Sequence, residues 1–485
     1  MRTPSGAGRS KLKMPLAADA LCCALVLCCF AANSQAQAQS AATPAPPNPD
    51  THAPSQQPGL HVETGAVIGQ DTGQAQHMLN LINDLQFHHL GQMLEDAKSG
   101  RIALPAAQQQ FLSGILENRE NQTEQSIRAL EPLIDSIAAS GNITEEKLAR
   151  EALAEDYLRS GKLAKASQAY QTLDTRLHSH LSADEQSDLE QPLKLLPLIT
   201  AQPEMTVDTG APFTLPYQLD PIGLTDIPVF VDGRSRSWML DPTEPFNLIS
   251  RSTAQEVGLT LSPESATIHS LTGKPIAVHA TVIPRITLGN VTYRNMTAFV
   301  FDDADFSFPQ SGYRVDGVLG YPAVSALGSV TVGSDATIRV DPSGKSSDGP
   351  EGAPFYLDGE RVLVAIGKED GSDDRMFEVD AAGQQSYFSS RFFSEHAAAF
   401  QQAKPQLFQL TGMEDAPPIP AYLAQTVRLQ IGRQQVAIHD IQVLTQPLGS
   451  AANDDTYGTL GVDVLQQMAS YTFNYRTMRF SVTTH

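Results

Sequence analysis

The sequence predicts a multidomain α+β chain: an N-terminal α-helical domain followed by an all-β region built as two lobes. Three observations carry this. The apolar residues recur at helical spacing from about Asp71 to Pro197, and after Pro197 they fall into short β-branched runs broken by Gly, Asp and Pro. The β part also repeats itself, because the pattern around Asp241 recurs around Asp380. At 485 residues the chain exceeds one ordinary core, and a prior of roughly 100–200 residues per domain gives about three.

Residues 1–38 read as a secretory signal. Arg2, Arg9, Lys11 and Lys13 form a basic start, Leu21 to Ala32 an apolar stretch, and Ser34-Gln35-Ala36 or Ala36-Gln37-Ala38 a small-x-small cleavage site. The apolar stretch is shorter than the roughly 18–20 residues needed to cross a bilayer. The expectation is therefore a periplasmic or secreted chain with no membrane span once the signal is removed. Cys22, Cys23, Cys28 and Cys29 are its four cysteines and all lie in that segment. A disulfide framework, a cysteine nucleophile and a thiolate metal site are then excluded for the exported chain.

The formal net charge is −21. It becomes more negative on export, since the signal carries four basic residues against Asp19 alone. Such a chain repels nucleic acid and anionic membrane surfaces, so neither is an expected partner.

Residues 39–70, rich in Ala, Pro, Gln and Ser, read as a disordered linker. Residues 71–197 read as the helical domain, with Met78, Leu79, Leu81, Ile82, Leu85, Leu90, Met93 and Leu94 on one face. Asn142 with Glu145 marks a helix start and Gly161 its stop. The run Leu148 to Leu163, followed by Ala166, Ala169, Tyr170 and Leu173, resembles a tetratricopeptide (TPR) helix pair, with a looser copy from Phe111 to Ile134. One good unit is fewer than the three or so repeats a free solenoid needs, so a bundle of about six helices is expected. Such a TPR-like domain either offers a surface to a protein partner or packs structurally against the rest.

The lobes are expected at 198–345 and 346–485. Ile227 to Val231, a turn at Asp232-Gly233 and Ser237 to Leu240 read as a hairpin. Val362 to Ile366 and Met376 to Val379 repeat it, and the strands Val282 to Leu288 and Gln425 to Ile431 each end at a glycine. Thr331-Val332 with Ile338 to Val340 closes the first lobe, and Tyr471 to Tyr475 with Arg479 to Val482 the second.

Each copy then carries one acid in the same surroundings. Trp238-Met239-Leu240 precedes Asp241 and Met376 to Val379 precedes Asp380, and a serine follows nine places later in both, Ser250 and Ser389. Leu271-Thr272-Gly273 and Leu410-Thr411-Gly412 begin 30 residues after their aspartates. Val318-Leu319-Gly320 and Thr459-Leu460-Gly461 close the copies.

Taken together, these residues resemble the retropepsin and pepsin superfamily of aspartic proteases in its single-chain, two-lobe form, over about Gly223 to Val482. The resemblance implies an all-β bilobal pepsin-like acid protease fold, a peptide or protein substrate and no cofactor or metal. It places the catalytic aspartates at Asp241 and Asp380 and, after each closing turn, helix starts at Val324 and Leu465. Substrate-binding flap tips fall at Gly273 and Gly412 with Thr272 and Thr411. Two carboxylates about 3 Å apart cannot both ionise, so the pair shares one proton. One then takes a proton from water while its partner polarises the scissile carbonyl.

The chain departs from the family where Thr-Gly should follow the acid. It has Pro242-Thr243 in one copy and Ala381-Ala382-Gly383 in the other. In the family the Thr hydroxyl ties the two loops together, and Pro lacks an N–H. Two readings stay open: an exported aspartic endopeptidase, or a catalytically dead relative that binds peptides or partner proteins. Asp208-Thr209-Gly210 spells the family signature but lacks a preceding hairpin, which makes it a turn before the lobe. Asp71-Thr72-Gly73 sits at the edge of the linker. His88-His89 is an adjacent pair facing two directions, which suits surface or core better than metal. Tyr321 and Tyr457 flank the closing glycines and read as cleft or core aromatics.

Overall fold

The structure, a computed structural model, describes residues 73–269, 274–308, 311–345, 352–367, 374–410, 418–448 and 454–485. The expected signal and linker, and the flap residues Thr272, Gly273, Thr411 and Gly412, lie outside the described residues.

Helices fill the N-terminal part and β-sheet dominates the rest. Eight α-helices run from Gly73 to Leu195 among the described residues, against the six or so expected. One reason is Leu85, which takes a left-handed φ of +56° between helices Gly73–Asn83 and Phe87–Lys98. It is itself buried and apolar, so the helical period passes through the break unmarked. Asn142 caps helix Ile143–Arg159 by accepting from the Glu145 N–H, and Gly161 follows its end at φ +73°. The two tetratricopeptide-like stretches are each a helix pair joined by a short turn: Ala106–Arg119 with Thr123–Leu130, and Ile143–Arg159 with Leu163–Leu177. In the first pair Gly114 is required, because a Cβ there would sit 2.7 Å from Leu130 Cγ.

The β part contains the same strand arrangement twice. Thr225–Val231 and Arg234–Leu240 form the first hairpin, with Asp232 and Gly233 both at positive φ as a two-residue turn requires. Arg361–Gly367 and Asp374–Val379 form the second. In the first copy the central strand Gly317–Leu319 lies parallel to Arg234–Leu240 and antiparallel to Leu248–Ser250. In the second, Gly458–Leu460 lies parallel to Asp374–Val379 and antiparallel to Tyr387–Phe388. Burial of these strands on both faces explains why their sequences run apolar without alternation.

The closing strands join the copies. Ser329–Gly333 pairs with Ser470–Asn474, so strands from both halves share one sheet. Val330, Val332, Phe355, Phe473 and Phe480 are buried in the core beneath it.

The helical part packs against both copies. Phe87 and Tyr356 meet ring to ring at 4.9 Å, Tyr321 Oη donates to Asn121 Oδ1 at 3.0 Å, and Arg119 Nη2 lies 2.8 Å from Asp358 Oδ1. No described helix is long and apolar enough to cross a membrane.

Candidate active site

Asp241 and Asp380 each stand at the end of a strand, where the chain leaves the sheet. Each is fixed first by its backbone: the Asp241 N–H donates to Leu319 O and the Asp380 N–H to Leu460 O, both at 3.0 Å. Each carboxylate is then held by the loop it opens. Thr243 N–H, Thr243 Oγ1 and Glu244 N–H donate to Asp241 Oδ1 at 2.9, 2.7 and 3.2 Å. Ala382 N–H and Gly383 N–H donate to Asp380 Oδ1 at 3.0 and 2.6 Å.

The donors therefore sit two and three places after the acid in both copies. Pro242, one place after it, is asked for no N–H, so the missing donor costs nothing. Gly383, which falls one place later than the family pattern puts its glycine, is where close approach is needed. A Cβ there would lie 2.3 Å from Asp380 Oδ2. Glu244 holds the matching place with a side chain, and its N–H stands the farther off of the two.

The loops are closed in the same way. Tyr321 N–H donates to Glu244 O at 2.6 Å and Val462 N–H to Gly383 O at 2.7 Å. Gly320 and Gly461 permit this, since a Cβ would meet Phe246 O at 2.0 Å in one case and Gly383 O at 2.5 Å in the other. Both glycines are also the caps of the helices that follow, Tyr321–Ala326 and Val462–Leu465, which begin three residues before the expected starts. Ser250 and Ser389 cap two further helices by accepting from Thr253 N–H and Phe392 N–H.

Across the seam, the Thr243 hydroxyl makes no tie between the loops because it is spent on its own aspartate. Glutamines bridge instead: Gln384 Nε2 donates to Ile222 O at 2.9 Å, and Gln466 Nε2 to Gly223 O at 3.1 Å. Neither was expected from the sequence.

Asp241 is 2% exposed and Asp380 partly exposed. Burial, and next the negative charge of Asp380, push the Asp241 carboxyl up to about 6, against the hydrogen bonds from Thr243 and Glu244. The two acids thus oppose each other's ionisation although 139 residues separate them. A third acid stands close. Glu378 is buried in the strand before Asp380, and its carboxyl is pushed up to about 7 by burial, with Asp380 among the charges raising it further and Arg361 opposing.

The other sequence candidates lie elsewhere. Asp208 is an exposed residue of the edge strand Thr206–Asp208, paired with Arg294 at 3.2 Å, rather than part of a turn. His88 and His89 are exposed, and no group of three metal-ligating side chains occurs among the described residues. Tyr457 is core, with its hydroxyl on Glu395 and Arg375 and Arg391 over its ring. A cavity of about 730 Å³ touches Pro242 and Thr243 from the side of the helix turn Ser160 to Lys165, but neither aspartate lines it.

Residues 227–323 match the model of the aspartyl protease family. That stretch contains Asp241, the strands Arg234–Leu240, Leu248–Ser250 and Gly317–Leu319, and all but the first two residues of Thr225–Val231, and it supports an aspartyl protease relationship. No curated protein matches the chain. Among solved structures, the crystal structure of basic 7S globulin from soybean aligns at 11% identity, covering 57% of this chain and 95% of that one, with a TM-score of 0.34. A likeness at that level carries no argument.

Proposed function

We propose that this chain is an exported aspartic-type endopeptidase in which Asp241 and Asp380 share one proton and activate a water molecule. The observation that carries the reading is the duplicated carboxylate loop, in which each acid receives two backbone N–H donors and each lies within reach of the other's charge. With one carboxyl ionised and the other protonated, the ionised member takes a proton from water as the oxygen attacks the peptide carbonyl. The protonated member donates to the carbonyl oxygen, and the tetrahedral adduct collapses as a proton passes to the leaving amine. Base and acid belong to the pair and not to either residue. The aspartyl protease match over 227–323 supports a peptide substrate.

Export rests on the basic and apolar segments of residues 1–38. The TPR-like helices serve in this reading as a structural buttress, given their contacts with Asp358, Tyr356 and Tyr321. Casein digestion between about pH 3 and 7 tests the proposal. New peptide termini are expected from the native chain, and none from Asp241→Asn or Asp380→Asn. Peptide binding without any cleavage would instead establish the non-catalytic relative.

A further inference from the structure

The two copies differ along one strand edge. Strand Pro275–Leu288 of the first copy corresponds to Ile419–Ile431 of the second. Each pairs near its start with a short strand, Ala266–His269 or Gln406–Phe408, and near its end with the hairpin, Phe230 opposite Thr287 and Gly367 opposite Gln430. Between those pairings this edge has no strand beside it among the described residues.

In the first copy the edge is closed twice. The chain beyond helix Arg251–Glu256 lies along it: Ser262 N–H donates to Ala280 O at 2.7 Å, Ala280 N–H to Ser262 Oγ at 2.9 Å, and Thr281 Oγ1 to Thr260 O at 2.9 Å. Main-chain groups alternate between the two edges of a strand. Pro284, four residues after Ala280, therefore faces the same edge and has no N–H to offer there.

The second copy has neither device. Aligned on the glycines that end the strands, Gly289 and Gly432, Ala280 falls at Leu423 and Pro284 at Val427. After helix Ser390–His396 the chain turns into the short helix Ala397–Phe400, which meets the strand through rings, Phe400 on Tyr422 at 5.4 Å. No backbone bond joins that segment to the strand among the described residues. Pro420 O accepts from Thr445 N–H on the far side, so alternation turns the main chain of Leu423, Gln425 and Val427 to the open edge. A groove of about 1210 Å³ runs along it, walled by Phe400, Leu423, Ala424 and Val427.

Its charge is opposite to that of the molecule. Arg375, His396 and Arg428 line the groove and no acidic side chain does among the described residues, in a chain of net charge −21. Arg375 is held by Glu395 at 2.7 Å, whereas Arg428 is exposed and has no acid paired with it among the described residues.

We propose that this edge binds an extended segment of a partner protein, which adds as a strand beside Leu423 to Val427 and turns acidic side chains toward Arg428. Main-chain bonds supply the affinity, and the match of acid to arginine selects the partner. Neither aspartate lines the groove, so the site does not depend on the endopeptidase reading.

The probe is a fluorescein-labelled, end-blocked eight-residue peptide alternating valine and glutamate, titrated by anisotropy against the full chain carrying Asp241→Asn, which prevents cleavage. It should bind with a Kd below about 1 mM, and about tenfold or more tighter than a valine–lysine peptide. Val427→Pro installs the residue that the first copy accepts at this place, so the fold should survive by circular dichroism while binding is lost. Arg428→Glu should reverse the preference between the two peptides. Binding of neither peptide, or affinity unchanged by both substitutions, overturns the proposal. Concentration-dependent dimerisation abolished by Val427→Pro would show that a second copy fills the edge and would refute a separate partner.

Discussion

Asn247 and Ser386 do the same work with different chemistry. Each stands six residues after its aspartate, and each offers a side-chain oxygen to the N–H of the glycine that closes the loop: Asn247 Oδ1 to Gly320 at 3.1 Å, Ser386 Oγ to Gly461 at 2.7 Å. They lock the carboxylate loop onto the closing turn in both copies.

Removing either lock leaves a buried N–H unpaired. Asn247→Ala and Ser386→Ala should each lower unfolding free energy by about 1–3 kcal/mol, read from urea denaturation. No change in either would mean that the loops are held by packing alone.

Gly383 allows the Asp380 carboxylate to sit against the backbone. Gly383→Ala puts a methyl 2.3 Å from Asp380 Oδ2, so the acid must move. Peptide hydrolysis should fall about 10–100-fold with the fold retained by circular dichroism. Pro242→Ala, by contrast, loses no hydrogen bond and should change hydrolysis less than about threefold. The reverse order of effects would contradict the placing of donors two and three residues after each acid.

The pH dependence of stability follows from the buried acids. Burial raises Asp241, Asp156 and Asp226 to about 6, Glu378 to about 7 and Glu151 to about 8. A carboxyl with a raised folded pKa stabilises the native state while protonated, and that contribution is lost as pH rises from its unfolded to its folded value. Asp358 runs the other way. Burial would raise it, but Arg119 and Arg361 outweigh burial and hold it at about 2. Its contribution is present above the unfolded value and is lost as pH falls toward 2. The melting temperature should therefore peak between about pH 4 and 5 and decline toward pH 8. A peak at neutral pH or above would show that these acids are ionised and compensated in the native state.

Much of the β region was legible because duplication writes itself twice. The hairpin turn at Asp232-Gly233 was visible as an Asp-Gly dipeptide between apolar runs, and the serines at 250 and 389 and the closing glycines at 320 and 461 as repeated spacings. The serines proved to be helix caps. The locks at Asn247 and Ser386 shared a spacing but not a residue type, so no repeat of letters marked them. The seam glutamines left no local signal, since Gln384 and Ile222 are 162 positions apart. The break between the first two helices was hidden by Leu85, an apolar residue in a backbone conformation that glycine usually announces.

The central claim is that Asp241 and Asp380 share one proton, and the titration of Asp241 tests it most directly. By carboxyl ¹³C NMR the native chain should show Asp241 titrating near 6. In Asp380→Asn, with the opposing charge gone and burial unchanged, the midpoint should fall by about one unit. A midpoint that does not move would mean that the two acids never meet.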